Sequence, residues 1–162
     1  MWANKFGTLA FLLLSHAVTA EGQQAIDADA AFDRLKGLRG TWSLDYGRGG
    51  SQRAATFRSG AGDILILDEG GQLTVFHLDK GKLALTHYCG SGNQPRMRVQ
   101  AIDDRKIAFT MYDITNLSRP QAYHTTGLEV VFLSDDRVDL LYRGTTDGRD
   151  SVSRVQLTRQ KS

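Results

Sequence analysis

The chain of 162 residues holds one cysteine and two prolines. A lone cysteine cannot close an internal disulfide, which excludes the stapled scaffolds of small secreted domains and leaves stability to a hydrophobic core. With 41% hydrophobic and 23% charged residues, a disordered or collagen-like chain is excluded as well. The formal charge of +2 is small and the basic residues are scattered among Asp and Glu, so nucleic acid is not an expected partner. No apolar run reaches the length that crosses a bilayer. There is no Cys-x-x-Cys-His for covalent haem attachment, no serine in a nucleophile elbow, no glycine-rich loop opening a helix, and no carboxylate pair set apart from turns. These absences argue against an enzyme.

What is present in quantity is glycine, 17 residues, among short runs of β-branched and aromatic residues. That combination points to antiparallel β-structure with tight turns. The first twenty residues stand apart: Lys5 precedes an apolar run from Leu9 to Leu14, and Val18-Thr19-Ala20 supplies the small residues of a cleavage site. The expected division is a signal peptide over residues 1–20 and one domain over 21–162. No cysteine follows the cleavage site to take a lipid, so the mature protein is expected to be exported, periplasmic or extracellular, and not an integral membrane protein. Its formal charge falls to about +1. It keeps Trp42, Cys89, His77, His87 and His124 as its single tryptophan, single cysteine and three histidines. About 142 residues can bury a sufficient core as a monomer.

Asp29 is expected to cap a short helix whose apolar positions Phe32, Leu35 and Leu38 recur every three residues, with Gly37 and Gly40 marking its end. Everything after Gly40 reads as strand and turn. The first strand alternates Trp42, Leu44 and Tyr46 against Thr41, Ser43 and Asp45. Nine more follow: Arg53 to Arg58, Asp63 to Asp68, Leu73 to Leu78, Leu83 to Cys89, Met97 to Ile102, Ile107 to Asp113, about Tyr123 to Leu133, Val138 to Arg143, and Ser151 to Thr158. Short connections make a meander, and ten strands with one apolar face each close most economically into an antiparallel up-and-down barrel, with a sandwich as the alternative. Closure carries a geometric check. With an even strand count, the last strand ends beside the beginning of the first, which sets Arg159 and Trp42 together on the inner face as a cation–π pair.

The Gly40-Thr41-Trp42 opening and the closing Arg159 resemble the signature of the lipocalin and fatty-acid-binding superfamily, the calycins. A more specific set is Phe76-His77-Leu78-Asp79, Leu85-Thr86-His87-Tyr88-Cys89, Gly92-Asn93-Gln94-Pro95-Arg96-Met97 and His124. Over Ala30 to Arg159 the chain resembles an uncharacterised family of bacterial lipocalin-like proteins, many of them exported, in which Thr-His-Tyr-Cys and Asn-Gln-Pro-Arg-Met recur together. Members often carry His-Met-His where this chain has His124-Thr125-Thr126, so the second histidine is missing here. The resemblance implies the barrel and no particular chemistry.

A type I turn at Asp79-Lys80-Gly81 sets His77 opposite Leu83 and Leu73 opposite His87. One face then carries Leu73, Val75, His77, Leu83, Leu85, His87 and Cys89, and is expected to point inward. A one-residue slip of that pairing would turn His87 outward and leave His77 in place. Cys89 is expected to be buried, as free cysteines usually are. The expected ligand-binding set is His77, His87, Cys89, Tyr46, Phe109 and Tyr142, around a small, largely apolar molecule held in the barrel. A haem- or zinc-binding barrel using His87, Cys89 and His124 is the alternative, although zinc usually wants three or four ligands and no carboxylate is placed to help. A third possibility is an envelope protein with a solid core and an interacting surface. The loop from Gly90 to Pro95 reads as a hairpin loop fixed by Asn93 and Pro95, with the rim of a cavity mouth as its other role. Arg96 and Arg98 read as a solvated outer face.

Overall fold

The structure, a computed structural model, describes residues 27–47 and 53–161. The signal peptide expected over residues 1–20 and its cleavage point before Glu21 lie outside them. Helix α1 (Ala28–Lys36) precedes ten strands. These are β1 (Gly40–Asp45), β2 (Arg53–Gly60), β3 (Ile64–Asp68), β4 (Leu73–Asp79), β5 (Lys82–Tyr88), β6 (Gln94–Ile102), β7 (Lys106–Thr115), β8 (His124–Ser134), β9 (Arg137–Thr146) and β10 (Arg149–Arg159). Every neighbour pair is antiparallel, and β1 pairs with both β2 and β10, so the sheet closes into a barrel with no sandwich split. Closure removes the two open edges that a ten-strand meander would otherwise expose.

Asp27, not Asp29, caps α1: its Oδ1 accepts from the Ala30 backbone N–H at 2.7 Å, and Asp29 falls in the first turn. The cap is set by the apolar stripe. Ala31, Phe32 and Leu35 are buried, so the helix must begin one turn before Ala31 to present them to the core. The helix packs over β4 and β5 and stoppers one end of the barrel. Gly40, at φ +129°, turns the chain from the helix into β1, and an added Cβ there would lie 3.4 Å from the Arg159 guanidinium.

The closing pair forms as the strand parity requires. Trp42 stands opposite Arg159 in the β1–β10 ladder, and the guanidinium carbon lies 4.3 Å from the indole centroid. Trp42 is fully buried, its Nε1 donates to the Leu38 carbonyl at 2.7 Å, and its ring meets the edge of Phe57 at 6.0 Å. Arg159 donates to the carbonyls of Arg39, Gly37 and Asp135 and pairs with Asp136. It therefore ties the helix C-terminus, the β8–β9 turn and the last strand together. Arg159→Ala is expected to lower stability by about 1–3 kcal/mol, read as a shift in the urea midpoint; an unchanged midpoint would contradict this account of the closed end.

Above the Trp42 layer the lumen is filled. Phe57, Leu67, Phe76, Leu85, Met97 and Phe109 are all buried there, with Phe76 and Phe109 in ring contact at 5.8 Å. The β4–β5 register differs from the sequence expectation by one residue. Lys80 and Gly81 both take positive φ, 50° and 74°, making a two-residue hairpin turn that sets Asp79 opposite Lys82 and His77 opposite Ala84. The slip turns β4 rather than β5. Thr74 and Phe76 point inward, His87 keeps its inward place, and His77 is half-buried on the outer face with Leu73 and Val75. Filling the barrel with Phe76 in place of a histidine is the physical reason this register wins.

Candidate functional site

The opposite end of the barrel is not filled. The β1–β10 ladder runs only from Trp42↔Arg159 to Asp45↔Gln156, whereas β9–β10 continues to Thr146↔Arg149. Beside the upper half of β10 lies a cleft of about 460 Å³ lined by Tyr46, Gln72, His87, Cys89, Tyr123, Thr125, Tyr142 and residues 152–155. Alternation on the strands delivers the floor: Leu83, Leu85 and His87 follow one another inward on β5, and Leu140 and Tyr142 on β9.

The floor is a linked polar row. His87 is 1% exposed, its Nδ1 lies 2.9 Å from the Thr74 hydroxyl, and its ring stands 5.4 Å from that of Tyr142. The Tyr142 hydroxyl donates to Glu69 Oε2 at 2.6 Å, and the Gln72 amide donates to the same oxygen at 3.0 Å. Glu69 is 2% exposed and its Oε1 is buried with no hydrogen-bond partner. Because β3 and β9 are not neighbours in the sheet, the Tyr142–Glu69 bond crosses the mouth and ties the β3–β4 turn to the far wall.

Burial dominates the electrostatics. It lowers the His87 pKa to about 4, so the imidazole is neutral at physiological pH. Burial also raises the Glu69 carboxyl above the ordinary carboxylate range, against the opposing hydrogen bonds from Tyr142 and Gln72. Tyr142 is pushed well above an ordinary phenol, first by burial and then by the facing Glu69.

Of the residues expected from sequence, His87, Cys89, Tyr46 and Tyr142 meet in this cleft. Tyr46 lies just past the end of β1 and forms an exposed rim. Cys89 is half-buried rather than buried, because β5 ends at Tyr88 and the thiol turns into the mouth, where the Ser91 hydroxyl donates to its sulfur at 3.0 Å. His77 is on the outer face and does not reach the site. Phe109 is core, sealed against Phe76 below the floor. His124 stands next to the cleft-lining Thr125, and its Nδ1 lies 2.9 Å from the Ala122 carbonyl. Among the described residues, no three of His, Cys, Asp and Glu come together as a metal site, so His87, Cys89 and His124 do not converge.

The loop after Cys89 is a fixed hairpin: Gly92 N–H donates to the Cys89 carbonyl, and the Asn93 side chain donates to the Tyr123 carbonyl at 2.8 Å. Tyr123 in turn lies on Gly144, where an added Cβ would come within 2.8 Å of its ring. Arg96 and Arg98 are exposed, the first paired with Asp113 and the second beside the Tyr112 ring.

Glu69, Gln72, Thr74, Tyr123 and Thr125 are the site residues that the sequence reading missed. A signal for Glu69 exists in the alternation Leu65, Leu67, Glu69, which continues an inward face into what reads as turn chemistry. Thr74 follows once the register is corrected. Among the described residues no helix is long and apolar enough to cross a membrane. The fold and the cleft define a closed ten-stranded antiparallel barrel, stoppered at one end and open at the other. Comparison with protein-family models and with curated proteins finds no match.

Proposed function

We propose that this is an exported lipocalin-like protein that holds one small, largely apolar molecule in the mouth cleft, with the ligand's polar end against His87 and Tyr142. The observation that carries the reading is a recess in which three tyrosines and a neutral histidine surround a hydrogen-bonded floor, at the end of the barrel opposite its helical stopper. The volume of about 460 Å³ falls within the range of small-molecule sites. With the lumen beneath already filled, the ligand is compact rather than a long chain threaded through the barrel. Export rests on Lys5, the Leu9–Leu14 run and Ala20. The intact mass of secreted protein should begin at Glu21, and recovery of an uncleaved cytoplasmic chain would contradict export.

Calorimetry with a panel of quinones, sterols and fatty acids tests the binding. His87→Phe is expected to weaken hydroxylated members by about 1–3 kcal/mol and to leave purely apolar ones nearly unaffected. If His87 serves only its bond to Thr74, the substitution will destabilise the protein and leave affinities alone. Trp42 fluorescence is a poor readout, because the indole lies at the stoppered end.

A further inference from the structure

Among the described residues three carboxylates are buried or nearly so, and two of them have cations. Asp139 pairs with Arg154 at 2.6 Å, and Glu129 pairs with Arg143 at 2.5 Å and Lys106 at 3.5 Å. Glu69 is the exception. Among the described residues no Lys, Arg or His forms an ion pair with it, and the charged group nearest in sequence, Asp68, repels it. Its two hydrogen-bond donors, Tyr142 and Gln72, both line the cleft, so the carboxyl lies one side chain behind the wall. That wall carries the rings of Tyr46, Tyr123 and Tyr142. Tyrosine faces are negative and attract cations, and a carboxylate behind them adds to the same field. Of the other charged or titratable groups about the cleft among the described residues, Arg154 is held by Asp139, His87 is neutral, the Cys89 sulfur accepts from Ser91, and Arg53, exposed at the start of β2, acts on Tyr46 at the rim.

Resting on the binding reading above, we propose that the ligand's polar end is a positively charged organic ammonium group, which supplies a cation that none of the described residues gives Glu69. An ammonium group in the cleft favours the ionised carboxyl. Because burial holds that carboxyl high in the free protein, binding below its raised pKa releases a proton from Glu69. An anionic ligand meets the opposite field and is rejected.

The test compares benzyltrimethylammonium, its uncharged carbon isostere neopentylbenzene, and phenylacetate by titration calorimetry on the full chain. The ammonium compound is expected to bind at least tenfold more tightly than the isostere, and phenylacetate more weakly than either. Glu69→Gln, which still accepts from Tyr142, should erase the preference for charge while keeping the isostere's affinity. Should that variant fail to fold, proton release by the wild type remains decisive: the apparent enthalpy should change with the buffer's ionisation enthalpy at acid pH. Equal affinity for cation and isostere, or binding with no proton release, would overturn the ammonium assignment and leave the cleft reading standing. Failure of these three together with the whole apolar panel would remove both.

Discussion

Trp42→Ala is expected to lower the unfolding free energy by about 3–5 kcal/mol, the usual cost of emptying a buried aromatic site. Three contacts converge on this fully buried ring: an edge contact with Phe57, the Nε1 bond to Leu38, and the Arg159 guanidinium over its face. Its loss leaves the Leu38 carbonyl without that donor beneath the helix and a cavity where the first and last strands meet. Circular dichroism through a urea titration is the suitable probe, because the substitution also removes the Trp42 indole. Trp42→Phe should cost less, since it keeps part of the packing. In a double-mutant cycle with Arg159→Ala the two losses should fall short of additivity by roughly 0.5–2 kcal/mol, the value of the shared cation–π contact. Full additivity would mean that the pair does not couple the first and last strands.

The second large effect is the acid sensitivity of His87. Its folded pKa of about 4 lies below the unfolded value of about 6.5, so the unfolded chain binds the proton first. Stability from this group is therefore complete above about pH 6.5 and declines as the pH falls towards 4. The full difference corresponds to about 3 kcal/mol. Glu69 acts in the opposite sense. Its raised pKa gives stability that is present below the unfolded carboxyl's pKa and is lost as the pH rises through the folded one. The wild type thus shows only the difference of the two slopes. Urea midpoints taken between about pH 7.5 and about pH 4.5 should show no acid loss in His87→Phe, where only the opposite Glu69 dependence remains, and a steeper acid loss in Glu69→Gln. A pH profile unchanged in both variants would mean that neither group is buried as described.

Much of this architecture is legible in the sequence. The ten strands follow from alternation and from the glycine and aspartate turns, and the Trp42–Arg159 pair follows from parity alone, because an even meander can close in only one sense. What was not legible traces to single backbone choices. Lys80 in the left-handed region is uncommon for a long side chain, so Asp79-Lys80-Gly81 reads as a three-residue turn, and one residue of register exchanges His77 for Phe76 in the core. Glu69 reads as a solvated turn former because it precedes Gly70-Gly71. Only the pairing of Tyr142 with the far side of the mouth brings its carboxyl indoors. Phe109 and Tyr142 are both inward on their strands, yet the first lies below the floor and the second forms it. That difference is one of height along the barrel, which alternation does not report.

The most direct test of the mouth cleft as the binding site is a backbone and side-chain NMR shift map of the protein titrated with the tightest-binding member of the calorimetry panel. The expected result is perturbation centred on Gln72, His87, Cys89, Thr125 and Tyr142, with the Trp42 indole N–H unmoved at the stoppered end. Shifts gathered around Trp42 and α1, or spread over the outer face about Arg96 and Arg98, would contradict it.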